Sequence, residues 1–365
     1  MSYIRIIFIF TLLLSTLGLF ARAEKDKPRN GEGIHSFLKR NKRTEKEHYK
    51  QFLELNPNKF GKQNSLKMGV YYTLPPLTPK KTTASTPQAT SSNGVKKRDK
   101  LFGPKYEEYT IKSDKLKGAV FFLSSGHGGP DCGAVGKVNG KIIHEDEYAY
   151  DITLRLARNL REEGATVHMI IQDAKDGIRD EPYLKYSSRE TCMGEKIPLN
   201  QLKRLVQRSR KINQLAAKSK EKYKRSVFIH LDSRGQRQQL DVFFYHAPKS
   251  KEGQRLALTM KKTFNDHYAK HQPNRGFSGT VTPRGLYVLN NTSPVGIFAE
   301  LGNIQNSSDQ RRFIQPDNRQ ALANWMCRGF IADYENWKSS AKTSKPAATP
   351  KTTTKSKKTS KKAKK

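Results

Sequence analysis

Cysteine is scarce in this chain of 365 residues, and its scarcity excludes two chemistries. There are three: Cys132, Cys192 and Cys327. The number is odd, so at most one bridge forms and one thiol is left over. A Cys132–Cys192 link is open to an exported protein. No two of them make a C-x-x-C pair, so no thiolate metal site is expected. Apolar residues are also few, at 35%, and part of the chain must therefore be tail or linker. Acidic residues are outnumbered, 33 against 69 Lys and Arg, for a net charge of +36. That balance calls for an anionic partner or surface without identifying one. Nucleic acid is disfavoured, because the basic residues concentrate in tails and linkers without interleaved aromatics. After residue 23 no run is apolar enough to span a membrane, so no integral membrane segment is expected there.

What is present divides the chain into five parts. Residues 1–23 read as a secretory signal: Arg5 in a positive n-region, an apolar run from Ile6 to Phe20, and an Ala21-Arg22-Ala23 exit. Cleavage before Glu24 would export the protein to the periplasm or the cell wall. Residues 24–76 follow as a charged leader (24–29) and a small module (30–76). The module holds a helix ending at Asn56-Pro57 and a late strand bounded by Pro75. Residues 77–104 read as a Pro/Thr/Ser/Lys linker with little to bury. Residues 339–365 hold ten lysines and no acid, and read as a disordered, self-repelling tail.

The large domain is placed at 105–338. Strand-like runs fall at 118–124, 165–171, 226–231, 241–246, 285–289 and 295–299. Helical spacing is found over 146–162, 199–219 and 250–268, and Asp317 is a candidate cap for a last helix. Strand and helix alternate. The fold class expected is α/β, with a largely parallel or mixed sheet of about six strands flanked by helices.

Four residues stand out within this domain. His127 lies in SGHGGPDCGAVG, His230 in VFIHLDS and Glu300 in PVGIFAELGNIQN, each following a short apolar, β-rich run. Sites collect at the carboxyl ends of strands in such sheets. Glycines beside His127 allow a sharp turn that leaves the ring exposed. Glu145 opens a helix, where a carboxylate can point into the sheet-edge crevice or merely answer the helix dipole. His144, Asp146 and Glu147 compete with it on composition alone. Glu300 sits between Ala299 and Leu301, and a buried Glu needs a partner or a cation. Two histidines and a carboxylate suit catalytic zinc, and a further Glu suits the base that a water nucleophile needs.

These motifs, GHGGPDCGAVG, EDEYAYDIT, FIHLDS and FAELGNIQN, together resemble the zinc-dependent N-acetylmuramoyl-L-alanine amidases of bacterial cell-wall turnover, over residues 117–335. The resemblance implies Zn2+ ligation by His127, Glu145 and His230 and a catalytic role for Glu300. Its register selects Glu145, since Tyr150 and Ile152 then fall where the family has apolar residues. It also implies Arg208 as a substrate-binding candidate, although Arg208 serves a stabilising role equally well, and Asn303 is a second candidate as a departure from the family pattern that would alter substrate fit. Leu231-Asp232-Ser233 replaces the usual Ala-Asn after His230, and Asn303 replaces the usual Phe. Some members carry an inserted segment that covers the metal until an activator protein displaces it, and residues 174–198 are longer than a minimal member needs. The module at 24–76 resembles a LysM domain through GEGIHSFL, LELNP and GVYYTLP, which implies peptidoglycan as the partner. The competing reading is a catalytically degenerate peptidoglycan-binding scaffold.

Overall fold

The computed structural model describes residues 24–29, 32–43, 46–61, 65–77, 94–272 and 275–343. The expected signal, most of the linker and all but the first residues of the tail lie outside them. The chain divides into two units, Met1–Thr90 and Ser91–Lys365.

The small unit runs β1 (Lys25–Asp26), α1 (Ile34–Arg40), α2 (Lys46–Leu55), β2 (Tyr72–Thr73), with β1 antiparallel to β2. Residues 24–29 are therefore part of the unit and not a leader. Its core is aromatic: Phe37, Phe52 and Tyr72 are fully buried, with ring centroids 5.6 to 6.0 Å apart. Asn56 ends α2 for a reason of its own. Its buried amide donates to the Phe52 and Thr73 carbonyls and accepts from Thr73 N, tying helix to strand. The charged stretch after α1 is used internally. Arg40 pairs with Asp26 and Glu32, and Arg43 reaches Glu24 at 2.6 Å and the Pro75 carbonyl at 2.9 Å.

The large unit begins earlier than its composition suggests. Residues 94–104 are folded: β3 (Lys96–Arg98) pairs with β4 (Glu108–Thr110), and a 3₁₀ turn, Lys100–Phe102, buries Phe102 completely. All three β3 side chains are exposed, so the pairing rests on backbone bonds that leave no apolar signature. There follow β5 (Ala119–Ser125), β6 (Val135–Val138), β7 (Lys141–His144), α3 (Glu145–Glu162), β8 (Thr166–Met169), β9 (Ile171–Gln172), β10 (Thr191–Cys192), β11 (Glu195–Lys196) and α4 (Gln201–Lys218). The described residues continue with β12 (Tyr223–Asp232), β13 (Phe243–His246), α5 (Lys251–His271), β14 (Val281–Pro283), α6 (Tyr287–Asn290), β15 (Val295–Asn303), α7 (Ser307–Ile314) and α8 (Pro316–Thr343).

Six strands form one sheet in the order β14-β13-β15-β12-β5-β8, parallel except where β13 meets β15. In the run at 285–289, residues 287–289 belong to the helix α6 and none to a strand. A short apolar run carries no periodicity that separates the two, and here Val288 and Leu289 pack sideways onto the sheet. Asp317 lies inside the first turn of α8 and does not cap it, and α8 continues into the expected tail as far as Thr343. The three cysteines are free, with Cys192 and Cys327 buried, so no Cys132–Cys192 bridge forms.

Both faces of the sheet are covered, which is why its strands read as continuous apolar runs. In β5, Ala119, Phe121 and Leu123 face the core built with α3, α5 and α8, while Val120 and Phe122 face the side of α4 and α6. Buried ions fasten the first layer. Asp151 on α3 receives Arg155 Nε at 2.8 Å and Arg319 Nε of α8 at 2.6 Å, and neither Asp151 nor Arg319 is exposed. Removing one partner of such a set leaves buried charge uncompensated. Asp151→Ala should accordingly cost about 3–5 kcal/mol of stability, read as a large fall in the midpoint of thermal or denaturant unfolding; an unchanged midpoint would show that the cluster is solvated.

Candidate active site

The sheet register sets the site. His230 of β12 and Glu300 of β15 are paired neighbours on parallel strands, so their side chains stand on one face. That face carries Phe228 and Phe298, and the His230 ring stacks on Phe298 at 4.3 Å between centroids. His127 lies two residues beyond β5 with φ at 53°, unusual for a side-chain-bearing residue, inside a loop closed by Gly128 N donating to the Asp131 carbonyl. Glu145 is the first residue of α3.

Glu145 joins the two histidines. Its Oε1 meets His230 Nδ1 at 2.9 Å and its Oε2 meets His127 Nε2 at 3.2 Å. Backbone N–H groups hold it from behind: Leu231 N donates to Oε1 and Ala134 N to Oε2. Two glycines make room. A Cβ on Gly126 would collide with the His230 ring, and one on Gly133, whose φ is already +69°, would lie 2.7 Å from both Glu145 Oε2 and the His127 ring. Of the competing residues, His144 turns to Tyr186 at 4.7 Å, and Asp146 and Glu147 belong to a separate group of acids.

His127, Glu145 and His230 each offer one donor atom, all within 4.8 Å of one another. Two imidazoles and a carboxylate are the donor set of a catalytic transition-metal site. Glu300 fits beside it. Its Oε2 is buried without a hydrogen-bond donor, the state of a carboxylate placed to meet a cation or a substrate proton. Burial, reinforced by Glu145 and Asp232, pushes its carboxyl up to about 9. Burial opposes the charged form of His127, but hydrogen bonds to Asp131 and Glu145 outweigh it and carry the ring up to about 10. Burial pulls His230 down despite its bond to Glu145. Glu145 is held well below the usual range: burial opposes ionisation, and the two histidine bonds prevail.

The sequence reading passed over two orienting groups. Asp131 Oδ2 accepts from His127 Nδ1 at 2.9 Å, and Arg204 approaches the same oxygen at 2.6 Å. Such a carboxylate fixes the ring and would direct its other nitrogen toward a bound cation. Asp131 stands inside the glycine loop four residues after His127, which was its available signal. Arg204, on α4, had none.

The two residues proposed from sequence to touch substrate are engaged elsewhere. Arg208 is buried, donates to the carbonyls of Ser125 and His127, and is pulled by burial down to about 10. It braces the His127 loop from within. Asn303 is fully buried; its amide donates to the carbonyls of Gly235 and Gln238 and accepts from Arg234 N and Gln305 N. It holds the 234–240 loop and has no donor or acceptor to spare. Residues 174–198 contribute β10 and β11 to a three-stranded sheet with β9. With that segment in place the His127 and His230 side chains remain 26% and 17% exposed, so solvent reaches both.

Hydrogen bonds to Asp131 and Glu145 favour the doubly protonated His127 ring in the metal-free site, so a metal bound at Nε2 would displace that nitrogen's proton. Metal affinity should rise by about tenfold per pH unit between pH 6 and 8, measured by competition with a chromophoric chelator; a flat profile would show that His127 does not ligate.

The family model described as N-acetylmuramoyl-L-alanine amidase matches residues 122–332. The germination-specific N-acetylmuramoyl-L-alanine amidase of Bacillus subtilis (strain 168) is 26% identical over 220 residues, 59% of this chain and 80% of that protein. Solved structures that resemble this one include an N-acetylmuramoyl-L-alanine amidase from Clostridium difficile 630 (19% identity, TM-score 0.44, 60% of this chain and 97% of that one). Another is an N-acetylmuramyl-L-alanine amidase from Mycobacterium smegmatis (18% identity, TM-score 0.44, 60% and 99%). The chain thus belongs to the N-acetylmuramoyl-L-alanine amidase family, hydrolases of the amide bond between N-acetylmuramic acid and L-alanine in peptidoglycan.

Proposed function

We propose that this amidase is zinc-dependent, with His127, Glu145 and His230 as ligands and Glu300 as general base and acid. The observation that carries the reading is the meeting of two imidazoles and a carboxylate beside a buried Glu with an unsatisfied oxygen. A zinc ion bound there would supply Lewis acidity toward a carbonyl oxygen and acidify water. The chain's own residues do the rest. Asp131 and Arg204 keep His127 oriented, and Phe298 fixes the plane of His230. Glu300 takes a proton from the attacking water as it adds to the lactyl carbonyl, then delivers it to the departing L-alanine nitrogen. Burial raises its proton affinity while no cation is bound, and a bound cation would lower it so that Glu300 can take the proton and return it.

Glu300→Gln should retain bound zinc and lose about 10²–10⁴ in turnover, whereas His127→Ala should lose both metal and turnover. The products to follow by mass spectrometry are free stem peptides with an L-alanine amino terminus, absent after chelation. Zinc bound with no release by the unaltered chain would move the degenerate-scaffold reading ahead.

The small unit serves, in this reading, as a LysM-like anchor to peptidoglycan. Support comes from its β-α-α-β order with paired terminal strands and from its three sequence motifs. Export places the enzyme at its substrate. Protein recovered from an exporting bacterial host should begin at Glu24 and sediment with insoluble peptidoglycan, and a variant lacking 24–77 should sediment much less. Equal retention of the two forms would assign wall binding to the large unit or its basic tail.

A further inference from the structure

The two residues after Glu145 on α3 form, with Glu190 of the 174–198 segment, a second group of acids. Asp146, Glu147 and Glu190 are 2%, 1% and 6% exposed, and one oxygen from each lies within 4.8 Å of the other two. Their partners leave them short of positive charge. Glu147 takes Arg179 at 2.7 Å and accepts from Ser187 N. Glu190 accepts only a backbone donor among the bonds in this group, Gly129 N at 2.8 Å. Asp146 Oδ1 accepts Glu147 N at 2.9 Å, and its Oδ2 is buried with no donor at all. The neighbouring guanidinium groups are shared out. Arg179 also serves Asp176, and Arg189 serves Asp173 and Asp176. Five carboxyl groups (Asp146, Glu147, Glu190, Asp173, Asp176) thus face two guanidinium groups, and burial raises the proton affinity of Asp146, Glu147 and Glu190 while no cation is present. Buried charge of one sign is costly without a counter-ion, and the unpartnered Asp146 oxygen is where one is missing.

We propose that Asp146, Glu147 and Glu190 bind a hard divalent cation, separate from the ion at the two histidines. The donor set is all oxygen, without imidazole or thiolate, which selects Ca2+, Mg2+ or Mn2+ over zinc. The ligands come from two places. Asp146 and Glu147 extend the helix that begins with Glu145, and Glu190 stands just before β10 while also holding the His127 loop through Gly129. A cation here clamps the inserted segment to the catalytic helix and steadies both elements that carry the first site's ligands.

The test uses the full chain, stripped with chelator, reloaded with one equivalent of zinc and then titrated with Ca2+ or Mn2+. Equilibrium dialysis should find one further equivalent bound, and the thermal midpoint should rise by several degrees. Asp146→Asn and Glu190→Gln should each weaken that second binding at least tenfold while keeping their zinc. If Asp146→Asn does not fold, Glu190→Gln decides alone. Absence of a second equivalent for Ca2+, Mg2+ and Mn2+ at millimolar concentration overturns the proposal. So does undiminished binding by the folded variants. An Asp146→Asn chain more stable than its parent and indifferent to cations also overturns it, because the group would then be a neutral acid. The readout compares chain with variant, so failure of zinc to bind at the histidines would be seen separately.

Discussion

One carboxylate at the first turn of α3 ties three separate stretches of chain together. Glu145 receives a histidine and a backbone N–H on each of its oxygens: His230 and Leu231 on one, His127 and Ala134 on the other. The end of β12, the glycine loop after β5 and the turn before β6 therefore share a single anchor. The helix dipole favours an anion at this position, by about 0.3–1 kcal/mol and more when partly buried. Four donors on two oxygens also leave the side chain little rotational choice. A carboxylate held this firmly can present a fixed edge to a cation, and the histidines it touches inherit its position.

The large unit treats its other buried carboxylates in contrasting ways, and the contrast follows the division between scaffold and chemistry. Asp151 is neutralised by two arginines and fastens α3 to α8. Asp241 is similarly enclosed by Arg275 and Arg312. Glu300 keeps a buried oxygen without a donor, at the register position beside His230. Asp151 and Asp241 are satisfied within the fold. An acid left unsatisfied costs free energy unless a ligand, a proton or substrate completes it, and that cost is accepted next to the imidazoles.

Much of the site was legible because each functional side chain sits in a short local pattern: a histidine among glycines, a histidine and a glutamate at the ends of apolar strands, a glutamate at a helix start. Other features were not, for identifiable reasons. Arg208 and Asn303 are of types that bind substrates, but burial decides whether a polar group faces solvent, and both are buried and donate to backbone carbonyls. Lys96–Arg98 has the composition of a linker and is a strand, because ladder bonds belong to the backbone and not to side chains. Residues 285–289 have the composition of a strand and contribute a helical turn, because tertiary packing overrides weak local preference in a run this short.

By itself the sequence determined the α/β class, singled out the four residues that the structure brings together, and marked the division into a small and a large unit. These depend on periodicity, on strand-end placement and on motifs contained in a few consecutive residues. Only the tertiary structure decided which atoms meet. The pairing of His230 with Glu300 across β12 and β15, the bridge from Glu145 to both histidines, the bracing of His127 by Asp131 and Arg204, and the buried acids completed by Glu190 all join residues far apart in the chain. Contacts of that kind depend on register and burial, which arise when the sheet forms and the helices close over it.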